Sequence, residues 1–506
     1  MVKIIAVALN LHDHNTYDGV FHNQRERHTR FKHNLPYKAE AYAHQSDILD
    51  PGDYKLNDEF TEKYFKKPDD GVLAFSYTFG GVRKSKEELL KTILKGHDEI
   101  FNYDPKTLWD YYYKDAIYYI DHHQSHAAYA FTNSGFQQSD ILAIDGIGSK
   151  FRCVFFDKDY KLHDLSDKLP IGWLWNHMSN FTGFGTLGAS KLMGKVGYGK
   201  HSDYYYNVFE VIFGGEITEK KQEHFKEIRL DSIDDLAYTL QEFTIDKIKE
   251  HVLPLKTTNK LCIAGGVAYN GYMNEMFTYH YDNVFVPPAV GDEGQALGTY
   301  QHADYVLNNN KHLTNTYAGI YHGFIANEKV DYKEVAQAIA DGKIVGWFQG
   351  RSESGNRALG NRSILADPRN PDIKDTINHT IKKREDFRPF APAVLEEHYK
   401  DYFDTRLPSP YMSRICKVKV GKSGINKVPG ITHVDGTARI QTVNKTDNEK
   451  FYKIIHEFYK ITGVPMLLNT SFNCQEPIVE TVDDAEATFK KTALDLLVIE
   501  DYILRK

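Results

Sequence analysis

The sequence predicts an α/β protein of two domains. Its 506 residues exceed the size at which one hydrophobic core usually stops growing, so two domains are expected. Short apolar runs, among them residues 4–10, 116–121 and 141–145, end in polar or acidic residues, as buried strands that lead into functional loops do. Residues 261–264 form another such run, and two glycines and a helical pattern over 267–279 follow it. This order of strand, glycine turn and helix is how α/β folds present backbone N–H groups to phosphate.

The remaining elements predict a domain boundary beyond the middle of the chain. Residues 151–165 predict a hairpin, and the polar, turn-prone stretch 308–316 predicts a connection between domains. We therefore expect one domain over residues 1–325 and another over 326–506. The second is expected to contain a helix over 332–340 and strands over 344–348 and 494–499.

Composition narrows the class of protein. The formal net charge is −7, from 62 Lys and Arg against 69 Asp and Glu, which disfavours a globally basic nucleic-acid binder. No stretch approaches the roughly 20 apolar residues of a membrane-spanning helix, and the N-terminal apolar run is too short for a signal peptide. The four cysteines are too widely spaced for a CxxC zinc site, and a disulfide scaffold is disfavoured. These features predict a cytoplasmic enzyme.

His122 and His126 stand four residues apart in a segment that has a helical pattern. On a helix both imidazoles project from one face, at the spacing that allows two histidines to share a metal. Helix capping or core polar structure is the more common explanation of such a pair. Asp145 and Asp292, each beside glycine at a strand or loop end, add two carboxylates, although capping explains each of them as well. Two imidazoles with two carboxylates would suit Fe²⁺ or Mn²⁺.

A further candidate stands near the N-terminus. His12 follows the first predicted strand, and residues 26–33 form a dense polar run. A solvated charged face is the common explanation for such a run. An imidazole at a strand end can also act as a general base toward a hydroxyl, because its unperturbed pKa is near working pH.

The second domain carries an unusual density of cations. Residues 351–388 hold 9 Lys or Arg in 38 positions, inside an acidic chain. Arginines interleaved with glycines and hydroxyl residues suit bidentate contacts with phosphate or carboxylate oxygens. A nucleic-acid groove and a surface ion-pair network are the alternatives, and we favour a small anionic ligand. Residues 435–439 and 469–473 add arginine, hydroxyl and amide groups of the kind that line nucleotide sites.

Several ordered blocks resemble the O-carbamoyltransferase family, which includes the nodulation-factor, cephalosporin and tobramycin carbamoyltransferases. The resemblance covers nearly the whole chain. Its most specific blocks are GRSESGNRALGNRSILADPR at 350–369, KREDFRPFAPAVLE at 383–396, HVDGTARIQTV at 433–443 and GVPMLLNTSFNCQEPIV at 463–479, with looser matches at 26–36 and 262–298.

The resemblance implies an N-terminal domain of the actin/Hsp70-like ATPase superfold and a smaller C-terminal YrdC-like α/β domain. It also implies a reaction in two steps. The C-terminal domain joins carbamoyl phosphate and ATP, with Mg²⁺, into carbamoyl-adenylate, and the N-terminal domain transfers the carbamoyl group to an acceptor hydroxyl. The metal of the transfer site is usually iron in the family, so Fe²⁺ is expected, with Mn²⁺ as the alternative.

The resemblance also assigns roles to individual residues. His12 matches the position that activates the hydroxyl, and Lys32 matches a nearby lysine that contacts an anion. The residues that match the metal ligands are His122, His126, Asp145 and Asp292. The residues in blocks that bind carbamoyl phosphate or nucleotide are Gly265, Gly266, Asn270, Arg351, Arg357, Lys383, Arg384, Arg388, Arg439, Asn469 and Ser471.

Two segments depart from the family's pattern. Asn356 stands where a proline is usual, and residues 188–199 (GASKLMGKVGYG) lack the Leu-Ala-Pro that is commonly seen there. Because the second segment borders the nucleotide in the family, we expect its contacts to differ in this chain.

The acceptor is left open among a hydroxymethylated pyrimidine in DNA or a nucleotide, a sugar and an antibiotic. Abundant aromatic residues (34 Tyr and 29 Phe) and the basic residues at 25–33 favour DNA or a nucleotide, whereas the net charge disfavours it. The alternative functions are a threonylcarbamoyl-type tRNA modification enzyme and a non-catalytic actin-like nucleotide-binding scaffold. No membrane partner is expected, and a homodimer is left open.

Overall fold

The fold is known from a computed structural model that describes residues 3–9, 14–24, 71–77, 116–146, 151–185, 188–213, 228–319, 330–421 and 426–506. The expected α/β class is confirmed, because three sheets are connected and covered by helices. None of the described helices combines the length and apolarity that crossing a bilayer requires. All four cysteines are free thiols.

Two sheets occupy the part of the chain before residue 320, here called the first half. The described strands of the first sheet are β1 Lys3–Leu9, β2 His14–Tyr17, β3 His22–Gln24, β4 Gly71–Tyr77 and β5 Ala116–Asp121. Those of the second are β6 Asp140–Ile144, β7 Cys153–Phe156, β8 Leu162–Asp164, β9 Lys260–Ala264 and β10 Asn283–Phe285.

The second sheet repeats the topology of the first. The spatial orders are β3-β2-β1-β4-β5 and β8-β7-β6-β9-β10. In each sheet the central strand pairs antiparallel with a hairpin partner on one side and parallel on the other. Because β6 and β9 run parallel, the residues that follow them meet at one edge of the sheet.

Helices pack against these sheets. Asp121 starts the first of them directly after β5, because its carboxylate accepts hydrogen bonds from the N–H groups of His123 (2.9 Å) and Gln124 (3.3 Å). Gly135, at φ +69°, ends the same helix in the left-handed region. The described helices of this half are α1 His122–Ser134, α2 Ile171–Phe181, α3 Ala189–Met193, α4 Asp203–Phe213, α5 Ile233–Val252, α6 Gly271–Phe277 and α7 Gln295–Asn308.

The helix expected over 267–279 is divided into two pieces. A short 3₁₀ turn covers Gly266–Tyr269, and α6 begins after Asn270. The Asn270 side chain accepts a hydrogen bond from the N–H of Met273 (3.1 Å), so it caps a new helix instead of continuing the old one.

Residues 330–506 form the second half, built on one large mixed sheet. The strands are β11 Val345–Phe348, β12 Arg362–Ala366, β13 Ala391–Leu395, β14 Phe403–Asp404, β15 Arg414–Val418, β16 Thr437–Val443, β17 Met466–Ser471, β18 Leu496–Ile499 and β19 Tyr502–Arg505. Their spatial order is β14-β15-β16-β13-β17-β12-β11-β18-β19. The expected helix over 332–340 is present with those bounds, and the two expected strands are β11 and β18, which pair in parallel. The helices are α8 Tyr332–Ala340, α9 Ile373–Ile377, α10 Tyr399–Tyr402, α11 Glu449–Thr462 and α12 Val482–Lys491.

The two halves meet where α6 packs against β15. Asn274 donates a hydrogen bond to the carbonyl of Ser413 (2.8 Å), and the Tyr272 hydroxyl donates to Asp435 (3.0 Å). A side chain at Gly271 would collide with Ile415, so the glycine allows this close approach. The contact leaves a cavity between the halves, and that cavity contains the polar groups described next.

Candidate active site

Four polar side chains from separate segments converge beside this cavity. The Nε2 atoms of His122 and His126 lie 3.4 and 3.2 Å from Oδ2 of Asp145, and both lie 3.4 Å from Oδ1 of Asp292. One ligand atom from each residue lies within 4.8 Å of all the others. We call these four residues the histidine–aspartate cluster.

The fold explains this convergence. One helical turn of α1 places both imidazoles on the same face. Asp145 follows β6 at the sheet edge, and Asp292 lies in the turn that leads into α7. The sequence had predicted all four residues as candidates, and the structure brings them together.

Backbone and amide groups hold the two carboxylates. The N–H of Gly146 donates to Oδ1 of Asp145 (2.6 Å), and the N–H of Gly266 donates to Oδ2 (3.0 Å). Gly265, with φ +92°, brings that turn against the carbonyl of Ile144. The two predicted glycines thus position a carboxylate.

Asn15, which the sequence analysis did not single out, anchors the other carboxylate loop. Its amide donates to the carbonyl of Asp292 (3.0 Å) and accepts from the N–H of Ala296 (3.0 Å). No sequence pattern indicated this role, because β2 and α7 are far apart in the chain.

The electrostatics of the cluster favour a cation. Burial alone would lower the pKa of His126, but its hydrogen bonds with Asp145 and Asp292 raise that pKa to about 9. Burial opposes ionisation of Asp145, yet hydrogen bonds with His122 and His126 hold its pKa well below the usual range. Two imidazole nitrogens and two carboxylate oxygens converging on one point fit a divalent first-row metal ion.

The cavity beside this cluster has a volume of about 490 Å³. Asp145 and Asp292 line it from the first half of the chain. The second half contributes four arginines to the same cavity, here called the arginine cluster: Arg357, Arg384, Arg388 and Arg439.

The arginine cluster places like charges close together with little compensation. Burial, followed by repulsion from neighbouring arginines, lowers the pKa of Arg439 well below its ordinary value and that of Arg384 to about 9. Among the described residues, no carboxylate lies within 4 Å of the guanidinium nitrogens of Arg357, Arg384 or Arg439. Arg388 lies 3.6 Å from Glu385. Such an arrangement suits an anionic ligand with several oxygen atoms.

A buried lysine supports the cavity wall next to the arginines. Lys382 is 1% exposed, and its ammonium group donates to Oδ1 of Asn473 (2.6 Å) and to Oγ of Ser471 (3.1 Å). Ser471 and Asn473 both line the cavity. The sequence analysis had selected the next residue, Lys383, which is exposed and stands at φ +46°.

The other predicted binding residues have varied surroundings. Arg351 is not among the cavity-lining residues, and its guanidinium lies 4.5 Å from the ring centre of Phe21. Asn270 lines the cavity while capping α6. Asn469 lines it and donates to Gln441 (2.8 Å). His12 and Lys32 lie outside the described residues.

Comparisons with known proteins cover most of the chain. The family model described as carbamoyltransferase N-terminus matches residues 20–300, and the one described as carbamoyltransferase C-terminus matches residues 336–506. Among solved structures, full-length HypF in its phosphate- and nucleotide-bound form aligns at a TM-score of 0.24 and 19% identity, covering 41% of this chain and 27% of that one.

Three relatives illustrate the similarity. Nodulation protein NolNO of Sinorhizobium fredii is 37% identical over 77% of this chain and 64% of its own length. Nodulation protein NolO of Bradyrhizobium diazoefficiens is 34% identical over 76% of this chain and 79% of its own length. The 3'-hydroxymethylcephem-O-carbamoyltransferase of Amycolatopsis lactamdurans is 34% identical over 48% of each chain. The chain thus spans just under two thirds of NolNO. With both family models matched in order along it, the chain belongs to the carbamoyltransferase family.

Proposed function

We propose that this protein is an ATP-dependent O-carbamoyltransferase. One water molecule hydrolyses carbamoyl phosphate to carbamate and phosphate, and the carbamate attacks the α-phosphate of ATP to give carbamoyl-adenylate and pyrophosphate. The acceptor hydroxyl then takes the carbamoyl group, and AMP leaves. The observation that carries this proposal is one cavity lined both by the two aspartates of the histidine–aspartate cluster and by the arginine cluster. A shared cavity keeps a reactive mixed anhydride away from bulk water between the two steps.

The arginine cluster supports binding of the two phosphorylated substrates. Arg357, Arg384, Arg388 and Arg439 supply planar donors, and ATP or carbamoyl phosphate would bring negative charge to guanidinium groups of which, among the described residues, Arg388 alone lies within 4 Å of a carboxylate. Lys382 holds Ser471 and Asn473 in the cavity wall, where their polar groups can orient a carbamoyl or phosphate oxygen.

The histidine–aspartate cluster supports a metal at the transfer site, and we propose Fe²⁺, with Mn²⁺ as the alternative. When bound, the metal supplies Lewis acidity toward an oxygen of the substrate. Gly146 and Gly266 hold the carboxylate of Asp145, and Asn15 holds the backbone of Asp292, before substrate binds, so little reorganisation is needed. We propose that His12 accepts the proton of the acceptor hydroxyl and that Lys32 contacts an anion beside it.

The repeated order of the first two sheets supports an actin/Hsp70-like ATPase superfold for residues 1–325. We propose that residues 326–506, with their single mixed sheet, form the YrdC-like domain that makes the adenylate. Four free thiols suit a cytoplasmic location, which we also propose.

The proposed acceptor carries a hydroxyl group. One relative is named for transfer to a hydroxymethylcephem, which supports hydroxymethyl compounds among the candidates. We propose hydroxymethylated pyrimidines in DNA or nucleotides, sugars and antibiotics as the acceptors to test.

The experiment that tests the function supplies the protein with carbamoyl phosphate, Mg-ATP, Fe²⁺ or Mn²⁺ and a panel of these acceptors. Mass spectrometry is expected to show one added carbamoyl group on one acceptor class. Omission of carbamoyl phosphate should abolish the product, and bicarbonate with threonine should not replace it. Product formation from bicarbonate and threonine would instead indicate the threonylcarbamoyl-type alternative.

The two half-reactions should be separable by mutation. Asp292→Ala is expected to abolish transfer while carbamoyl-phosphate-dependent ATP–pyrophosphate exchange continues. Arg388→Ala is expected to lose exchange first. Equal loss of both reactions in both variants would contradict the assignment of separate steps to the two clusters.

A further inference from the structure

Tyr269 occupies a distinctive place between the two clusters. It ends the 3₁₀ turn Gly266–Tyr269, and the first residue of that turn already donates a hydrogen bond to Asp145. Tyr269 itself lines the cavity. The sequence analysis assigned it no role.

The hydroxyl of Tyr269 is linked to the loop that carries Asp292. It donates a hydrogen bond to the carboxylate of Glu293, and the same carboxylate oxygen accepts from the N–H of Gly291 (3.1 Å). Glu293 is only 8% exposed. The residues on both sides of Asp292 are thus tied to one carboxylate, which in turn is tied to Tyr269.

The ring of Tyr269 faces the arginine cluster. The guanidinium carbon of Arg357 lies 5.1 Å from the ring centre, within the range of a cation–π contact. Arg357 follows Gly355, which sits at φ +90° and leaves no room for a side chain against the carbonyl of Pro288. The loop of Arg357 therefore packs on the segment that leads to Asp292.

We propose that Tyr269 is a positioning residue that holds the Asp292 loop through its hydroxyl and the Arg357 guanidinium through its ring. This inference rests on the proposed function, because it treats the two clusters as sites for a metal and for a phosphate-bearing substrate. The inference predicts that the two roles can be separated by mutation, because one substitution removes the hydroxyl and keeps the ring, and another removes both.

The test measures binding of Mn²⁺ and of pyrophosphate to the full chain by titration calorimetry. Tyr269→Phe, which keeps the ring, is expected to weaken Mn²⁺ binding about fivefold to tenfold and to leave pyrophosphate binding within about twofold. Tyr269→Leu, which removes both, is expected to weaken pyrophosphate binding about fivefold as well.

Tyr272→Phe is the matched control, because its hydroxyl lines the same cavity but donates to Asp435. Its Mn²⁺ affinity should equal that of the wild type. Unchanged Mn²⁺ binding in Tyr269→Phe, or unchanged pyrophosphate binding in a folded Tyr269→Leu, would overturn the inference. Tyr269→Phe tests the effect of the hydroxyl on Mn²⁺ binding even if Tyr269→Leu does not fold. Wild-type protein that binds neither probe would count against the proposed function itself.

Discussion

The two clusters that line the cavity hold their charges in opposite ways. In the histidine–aspartate cluster, Asp145 and Asp292 alternate with imidazoles at 3.2 to 3.4 Å, so each group stabilises its neighbours. In the arginine cluster, guanidinium groups neighbour one another, and burial, followed by their mutual repulsion, lowers the pKa of Arg384 and Arg439.

This difference shows which cluster is complete without its ligand. Opposite charges attract, so the side chains of the histidine–aspartate cluster are preorganised. A cation then only replaces the protons or water molecules that the carboxylate oxygens of this cluster would otherwise hold. Like charges repel, so packing of the second half must hold the arginines in place against electrostatics. An anion bound to the arginine cluster should therefore stabilise the folded protein more than a cation bound to the histidine–aspartate cluster does.

Neutralising Asp145 should break the first cluster. Asp145→Asn keeps the shape of the side chain but removes the charge that both imidazoles face. Loss of a direct ligand should weaken Mn²⁺ binding by more than about 100-fold, since even indirect partners of a metal site contribute 10- to 100-fold. Titration calorimetry with Mn²⁺ measures this loss.

His123→Gln is the control for that variant. His123 is a buried neighbour on the same helix, but the metal-ligand group does not include it. Mn²⁺ affinity should remain within about threefold of the wild type, as for a residue outside the ligand set. A comparable loss in both variants would mean that the helix, and not the ligand set, is being disturbed.

Removing an arginine should separate function from stability. Arg439→Met is expected to raise the KM for carbamoyl phosphate in pyrophosphate exchange about 30-fold, because a charged hydrogen-bond donor is lost. The free energy of unfolding should stay equal or rise by about 1 kcal/mol, because one buried, repelled charge disappears. Exchange kinetics and urea unfolding measure the two effects.

Arg362 provides the contrast, as a fully buried arginine with a structural role. Its guanidinium donates to the carbonyls of Gln349 (2.8 Å) and Asn361 (3.0 Å). Arg362→Met should therefore lower the free energy of unfolding by about 3 kcal/mol. A loss of that size in Arg439→Met would show that the arginine cluster is structural after all.

Pyrophosphate should stabilise the protein through the arginine cluster. A ligand that binds only the folded state at 100 times its Kd adds about 2.7 kcal/mol to the free energy of unfolding. Thermal unfolding should therefore shift upward with pyrophosphate, and less so as ionic strength rises. If pyrophosphate raises the unfolding temperature of Arg439→Met as much as that of the wild type, pyrophosphate binds outside the arginine cluster.

Local geometry predicted only part of the histidine–aspartate cluster. The spacing of His122 and His126 places both imidazoles on one face once the segment is a helix, and Asp145 follows a strand end. The resemblance to the family supplied the complete ligand set, including Asp292. The contribution of Asn15 could not be predicted, because it depends on how β2 meets α7 across the sheet.

The arginine-rich half shows where such prediction stops. Three consecutive cations, 382–384, are equivalent in sequence, and only the backbone turn at Lys383 directs Lys382 inward. Asn270 was predicted only as a ligand-binding residue, and its role as the cap of α6, which divides the expected helix, was not foreseen. The repeated sheet order is a property of pairing, which hydrophobic periodicity does not reveal.

The smallest expected change in the free energy of unfolding concerns Lys195, which lies in the segment 188–199 that departs from the family's pattern. Its ammonium group lies 3.2 Å from Asp234 and 4.5 Å from the ring centre of Phe387, a cavity-lining residue of the second half. Lys195→Met should lower the free energy of unfolding by about 0.5–1 kcal/mol, the sum of a weak cation–π contact and a solvent-screened ion pair. Urea unfolding measures it.

Lys158→Met is the matched control, since Lys158 forms an ion pair with Asp159 (2.8 Å) and has no cation–π contact among the described residues. Because this ion pair is exposed to solvent, its loss should cost less than that of Lys195. If Lys195→Met costs more than its control while pyrophosphate affinity stays unchanged, the contact joins the halves without shaping the anion site. A fall in pyrophosphate affinity would instead show that the segment after α3 influences the anion site, because Phe387 stands beside Arg388 and would transmit the change.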